Sequence, residues 1–205
     1  IKLCPARRSC CYARRAGRCD IQYTVVVPPF VAMSIHVIFG PMFSGKTTEL
    51  LRRVRRYSAA QKRCLLVKYT MDTRHRGIVT HDGNSHTGLY MAQVRELAEV
   101  DTADVDVIGI DEGQFFPDIV VFCERMADAG KIVVVAALDG TFQRRPFGDV
   151  LNLTPLADSV IKLSAVCVYC FKDAPFSARL SDEQEEVVVG GADKYAAVCR
   201  SCRVV

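Results

Sequence analysis

Gly40-Pro-Met-Phe-Ser-Gly-Lys-Thr47 decides the fold. The stretch fits G-x-x-x-x-G-K-[ST], the pattern of a phosphate-binding P-loop. Ile35-His-Val-Ile-Phe39 before it is apolar enough for a buried strand. Thr48 to Tyr57 after it has helical spacing, with Leu50, Leu51 and Val54 on one face. Strand, glycine-bearing loop and helix in that order are the context the motif requires. Gly40 and Gly45 let the backbone take positive φ and approach a ligand closely. The loop N–H groups and the helix N-terminus then form an anion cradle. In such a cradle Lys46 reaches the β- and γ-phosphates, and the Thr47 hydroxyl sits on Mg²⁺.

Outward from the loop, apolar strands alternate with helices. Cys64–Thr70, Val105–Asp111, Lys131–Leu138 and Ser159–Val166 read as four more strands, with helices over Met91–Glu99 and Asp118–Ala129, the latter closed by Gly130. This alternation predicts a parallel α/β sheet with flanking helices, which binds ligands beyond the carboxyl ends of its strands. Met71–Gly88 is polar and too long to be a mere connector, as expected for a loop near the phosphates. Its histidines, His75, His81 and His86, read as solvated loop residues rather than ligands.

Val107-Ile-Gly-Ile-Asp111 places an acid at a strand end, where Asp111 can hold Mg²⁺. The adjacent Glu112 is then free to face an acceptor and take its proton as a general base; the competing reading is a capping acid on a loop. Farther on, Cys167-Val-Tyr-Cys170 and Cys199-Arg-Ser-Cys202 are two C-x-x-C pairs 28 residues apart. Four thiolates at this spacing match a structural zinc site. A redox role fits less well, because a thioredoxin-type motif comes singly beside a βαβ unit. The isolated Cys64 and Cys123 read as small core residues.

The chain of 205 residues carries a net charge of +4, but residues 1–34 hold +5 of it and the remainder is near neutral. A basic nucleic-acid footprint on the folded part is therefore not expected. No apolar run is long enough for a membrane helix. Residues 1–33 are Arg- and Cys-rich without a strand or helix period, and are expected to be an extension that is disordered or lies upstream of a working start at Met33. A secretory signal fits poorly because Pro28 and Pro29 interrupt the apolar stretch; a mitochondrial presequence fits somewhat better. Reduced thiols and a cytoplasmic location are expected for such a P-loop protein.

Five stretches together resemble the type II thymidine kinases, most of all the short poxvirus-type members: Gly40–Leu50 (GPMFSGKTTEL), Ile110–Phe116 (IDEGQFF), Ala137–Gln143 (ALDGTFQ), Lys162–Cys170 (KLSAVCVYC) and Gly190–Tyr195 (GGADKY), followed by Cys199–Cys202. The resemblance implies a P-loop NTPase-type, RecA-like kinase domain over 34–166 and a small zinc-ribbon or lasso subdomain over 167–203. It implies phosphorylation of the thymidine 5′-hydroxyl by ATP with Mg²⁺, in a homotetramer subject to feedback by dTTP. Carried over by position, Gly40, Pro41, Met42, Phe43, Ser44, Gly45, Lys46, Thr47, Asp72, Thr73, Arg74, Asp111 and Gln114 bind the nucleotide. Glu112 is the catalytic base. Met42, Phe115, Leu138, Phe142, Ser177, Glu186, Val187, Val188, Val189, Gly190 and Tyr195 surround the nucleoside. Cys167, Cys170, Cys199 and Cys202 hold zinc, and Thr47 and Asp111 hold magnesium.

A different class competes for the same motifs, namely a P-loop ATPase acting on nucleic acid with the zinc ribbon as a clamp. Between Cys167 and Cys202 there are four Lys/Arg against six Asp/Glu, the wrong balance for gripping phosphates.

Overall fold

A computed structural model describes residues 33–69, 89–180, 185, 188 and 190–204. The extension up to residue 32 lies outside these, as do Asp72, Thr73, Arg74, the three loop histidines, Glu186, Val187 and Val189.

The strands are β1 (Ser34–Phe39), β2 (Cys64–Tyr69), β3 (Leu89–Val94), β4 (Val107–Asp111), β5 (Ile132–Ala137) and β6 (Ser159–Lys162), and they form one parallel sheet in the order β3-β2-β4-β5-β1-β6. Helices α1 (Lys46–Ala59) and α2 (Ile119–Asp128) cover its two faces. Alternate strand residues feed different layers. Ile38, Cys64, Leu66, Val107, Val134 and Ala136 pack with Leu50 and Val54 of α1. Val37, Phe39, Leu65, Val67, Ile108, Ile110, Val133 and Val135 pack with Ile119, Phe122, Cys123 and Met126 of α2. Burial on both faces is why these strands read as unbroken apolar runs.

Two expectations need correction. Met91–Glu99 is not a helix. Its first part belongs to β3, paired in parallel with β2, and Leu97–Glu99 is a single 3₁₀ turn. The buried–exposed–buried sequence Ala92, Gln93, Val94 has the strand period of two. The spacing of Val94, Leu97 and Ala98 imitates a helix, yet Ala98 is exposed. The sheet accordingly has six strands rather than five.

Nor is Ser159–Val166 one strand. β6 stops at Lys162 because its partner β1 ends at Phe39, where the P-loop begins; the last link is Leu163 N–H to Phe39 C=O, 2.8 Å. The chain then turns away, and β7 (Ala165–Val166) pairs antiparallel with β8 (Asp173–Ala174). A second hairpin follows, β9 (Phe176–Arg179) with β10 (Tyr195–Val198). The segment between the cysteine pairs therefore contains regular structure. Its core is nonetheless small, made of Ala165, Cys167, Ala174, Ala196, Ala197, Val198 and Cys199. Alanines bury little apolar area, so such a cluster needs a further tie.

Candidate active site

The P-loop lies between β1 and α1, and its two glycines serve different needs. A Cβ on Gly40 (φ 154°) would lie 2.8 Å from the Leu163 carbonyl and 2.6 Å from Ser44 Oγ, so this position requires the space. At Gly45 nothing would obstruct a Cβ, but φ is 81°, so this position requires the conformation. Ser44 Oγ and Lys46 Nζ both donate to the Pro41 carbonyl at 2.8 Å, bracing the loop from within. Burial pulls the Lys46 ammonium below the ordinary lysine value, against the opposing influence of Glu112, Asp111 and Asp139.

One strand, β5, separates the P-loop strand from β4, a span of roughly 10 Å at ordinary strand spacing. α1 packs over β4 and β5, so its first turn closes the gap. Thr47 Oγ1 donates to both Asp111 carboxylate oxygens, at 3.0 and 3.2 Å. The two residues expected to hold magnesium are therefore side by side, with a hydroxyl and a carboxylate as hard oxygen donors. Glu112 follows in the left-handed conformation (φ 56°, ψ 43°). This turns its side chain into the same cleft as Lys46 and Thr47. Gln114, expected to touch the nucleotide, is buried behind this acid; its Nε2 donates to Glu112 Oε2 at 2.6 Å.

The cleft encloses about 450 Å³, the scale of a small-molecule site. Lys46, Thr47 and Glu112 stand at its polar end, while Met42, Phe115, Leu138 and Phe142 are among its apolar walls. Phe115 is wedged between Tyr69 (centroids 5.1 Å apart) and Phe147 (5.5 Å, edge to face), which fixes its ring. Phe142 and Phe147 come from a loop closed on itself by the Gly140–Pro146 bridge and by Thr141 N–H to Arg145 C=O, 2.9 Å.

The opposite wall comes from the C-terminal hairpin. Ser177 Oγ accepts the Met42 N–H at 2.9 Å, joining β9 to the P-loop across 135 residues. Tyr195 Oη donates to the Val188 carbonyl at 2.9 Å and accepts from Arg179 Nη2 at 2.6 Å. The Arg179 guanidinium also lies 3.9 Å over the Phe142 ring and donates to the Glu185 carbonyl. Thr141, Phe147 and Arg179 were not anticipated as site residues. For Thr141 a signal existed, since it lies inside the ALDGTFQ stretch. Arg179 offered none, because its role depends on the β9–β10 pairing.

The sulfurs of Cys167, Cys170, Cys199 and Cys202 lie within 4.8 Å of one another, with Cys170 and Cys199 at 3.6 Å. Zinc–thiolate bonds of about 2.3 Å imply S···S separations of roughly 3.8 Å in a tetrahedron, so the donor set and its spacing fit a closed zinc site.

A parallel sheet bearing a P-loop, a neighbouring strand-end acid and an apolar acceptor cleft defines a P-loop nucleotide-binding protein. The chain belongs to the thymidine kinase family, whose family model matches residues 33–203. It is 60% identical to the cytosolic thymidine kinase of Homo sapiens over 169 residues, covering 82% of this chain and 72% of that protein. It is 58% identical to the thymidine kinase of Monkeypox virus over 171 residues, covering 83% and 96%. Among solved structures, the flagellar accessory protein FlaH of Methanocaldococcus jannaschii overlaps 74% of each chain at 13% identity with a TM-score of 0.48, too loose a likeness to carry an argument.

Proposed function

We propose that this chain is a deoxynucleoside kinase that transfers the γ-phosphoryl group of ATP to the 5′-hydroxyl of thymidine, giving dTMP and ADP for DNA precursor synthesis. The observation that carries the reading is a single cleft lined at one end by Lys46, Thr47 and Glu112 and elsewhere by Met42, Phe115, Leu138 and Phe142. A phosphate donor and an apolar-walled hydroxyl acceptor can meet there.

The backbone N–H groups over Phe43–Thr47 and the Lys46 ammonium hold the phosphates. Asp111 and Thr47 would hold magnesium, which would supply positive charge to neutralise the phosphate oxygens. Glu112 accepts the proton of the thymidine 5′-hydroxyl as the O5′–Pγ bond forms and the bond from Pγ to the β-phosphate oxygen breaks, releasing ADP. The transition state is loose, so positioning and charge neutralisation do most of the work. Asp72, Thr73 and Arg74 are assigned to the phosphate end of the site, Arg74 as a further positive charge.

Residues 167–203 act as a lid subdomain on the 34–166 kinase domain, which Zn²⁺ held by the four cysteines would tie together. Its backbone over 186–190 reads the carbonyl–NH–carbonyl edge of the thymine; Tyr195 donates to the Val188 carbonyl, and Ser177 ties β9 to Met42 of the P-loop. By the same reading the lid selects a pyrimidine over the larger purine. By family resemblance the enzyme is a cytoplasmic homotetramer inhibited by dTTP. One assay tests the reading: ADP should form when thymidine is added and not when DNA is added. Glu112→Gln should still bind ATP and lose at least ~100-fold in turnover, the span expected of a positioned base; near-normal turnover would remove Glu112 from that role.

A further inference from the structure

Gln114 is 4% exposed, and both ends of its amide are engaged. Its Oε1 accepts the Leu138 backbone N–H at 3.0 Å, while its Nε2 donates to Glu112 Oε2 at 2.6 Å. A backbone N–H can only donate, so the carboxamide oxygen must face Leu138 and the NH₂ must face Glu112. The orientation of this side chain is thereby set by the end of β5. Glu112 stands at φ 56°, a conformation that a non-glycine residue holds only where its surroundings fix it. Glu112 and Leu138 both line the cleft, and Gln114 is not among the lining residues.

We propose that Gln114 is a positioning residue for phosphoryl transfer, a strut that acts through Glu112 rather than a contact to the nucleotide. It tethers one carboxylate oxygen of Glu112 to the strand behind it and leaves the other to meet the acceptor hydroxyl. Because the strut's far end is the Leu138 amide, the base and one wall of the acceptor cleft share a single hydrogen-bonded frame. Glutamine suits the position because one rigid amide offers both an acceptor and a donor. Methionine would match its length with neither, and glutamate would set a second carboxylate against the first. The inference rests on Glu112 being the base.

The test is a double-variant cycle on the full chain, with kcat and both KM values measured at saturating co-substrate. Gln114→Met should lower kcat roughly 10- to 100-fold, the cost of misplacing a reacting group by about 1 Å, with the KM for ATP changed by less than about twofold. In a Glu112→Gln background the same substitution should cost less than about twofold, because there is no longer a carboxylate base to hold. Gln114→Glu keeps the size and the oxygen facing Leu138, and should also lower kcat while sparing the KM for ATP. It carries the test if Gln114→Met does not fold. A raised KM for ATP with kcat preserved would make Gln114 a nucleotide contact and overturn the proposal. Full additivity with Glu112→Gln would overturn the strut alone. Wild-type turnover in Glu112→Gln by itself would overturn the base assignment, and the strut with it.

Discussion

Replacing Ser177 by alanine removes the acceptor of the Met42 N–H, the hydrogen bond that joins the C-terminal hairpin to the P-loop. Ser177 is 8% exposed but Met42 is only half-buried, so water can reach the orphaned N–H from one side. The loss is then that of an ordinary hydrogen bond, about 1 kcal/mol, rather than of a fully desolvated group. That corresponds to about a fivefold change in an equilibrium constant. The β9–β10 pairing opposes Ser177 to Ala197 through the backbone and survives the substitution. The expected result is a KM for thymidine raised about fivefold with kcat within about twofold of wild type, and a melting temperature lowered by roughly 2–4 °C. ADP release measured across a thymidine series reads the first two, and Ser177→Thr, which keeps the hydroxyl, should restore the thymidine KM. An unchanged thymidine KM in Ser177→Ala, or a threonine variant as poor as alanine, would refute the idea that this bond couples the two halves of the site.

Three further outcomes are expected. The purified protein should carry one zinc per chain, and Cys170→Ser should lose it and raise the KM for thymidine before ATP binding changes; a metal assay finding no zinc refutes the closed thiolate site. Native protein alkylated at pH 8 should be unlabelled at Cys64 and Cys123 by mass-spectrometric mapping. Burial, aided by Asp106, pushes the Cys64 thiol up to about 11, and burial with Asp118 pushes the Cys123 thiol higher still, so rapid labelling of either would contradict its place in the core. The Glu49 carboxyl, hydrogen-bonded by Arg52 at 2.6 Å and Arg53 at 2.8 Å, should titrate at about 2 by NMR. A carboxylate depressed on folding stabilises the native state above its unfolded pKa and stops doing so as pH falls through its folded value. The acid-induced loss traceable to Glu49 therefore lies between about 4.5 and about 2, is small because the pair is solvated, and disappears in Glu49→Gln.

What could be read from the sequence is what is local. The P-loop, the Asp111–Glu112 pair and the cysteine pairs each lie within a few consecutive residues, where residue type and spacing carry the chemistry. Met91, Ala92 and Gln93 suit a helix in isolation, while the adjacent strand β2, more than twenty residues back, recruits them into the sheet as β3. The end of β6 could not be located without knowing that its neighbour runs out at Phe39. Gln114 showed the same limit from the other side. Its place in a recognised motif suggested nucleotide, and only the Leu138 amide, 24 residues on, reveals which way its carboxamide faces. Arg179 reaches Tyr195, Phe142 and Glu185 through a hairpin whose pairing no periodicity in residues 171–198 announces.

The strand order also dictates a timetable. β1 is the first of the sheet's strands to be made, yet both of its neighbours, β5 and β6, are made late, the nearer beginning about 90 residues after β1 ends. At ordinary rates of synthesis that is a wait of roughly 5–20 s. Through it, an apolar segment destined for the interior of the sheet has neither edge covered. β2, β3 and β4, contiguous in the sheet and successive in the chain, can pair with one another during that interval. The strand that introduces the phosphate cradle is thus inserted between two of the latest-made strands, and the cradle takes its final shape only when nearly the whole kinase sheet has been synthesised.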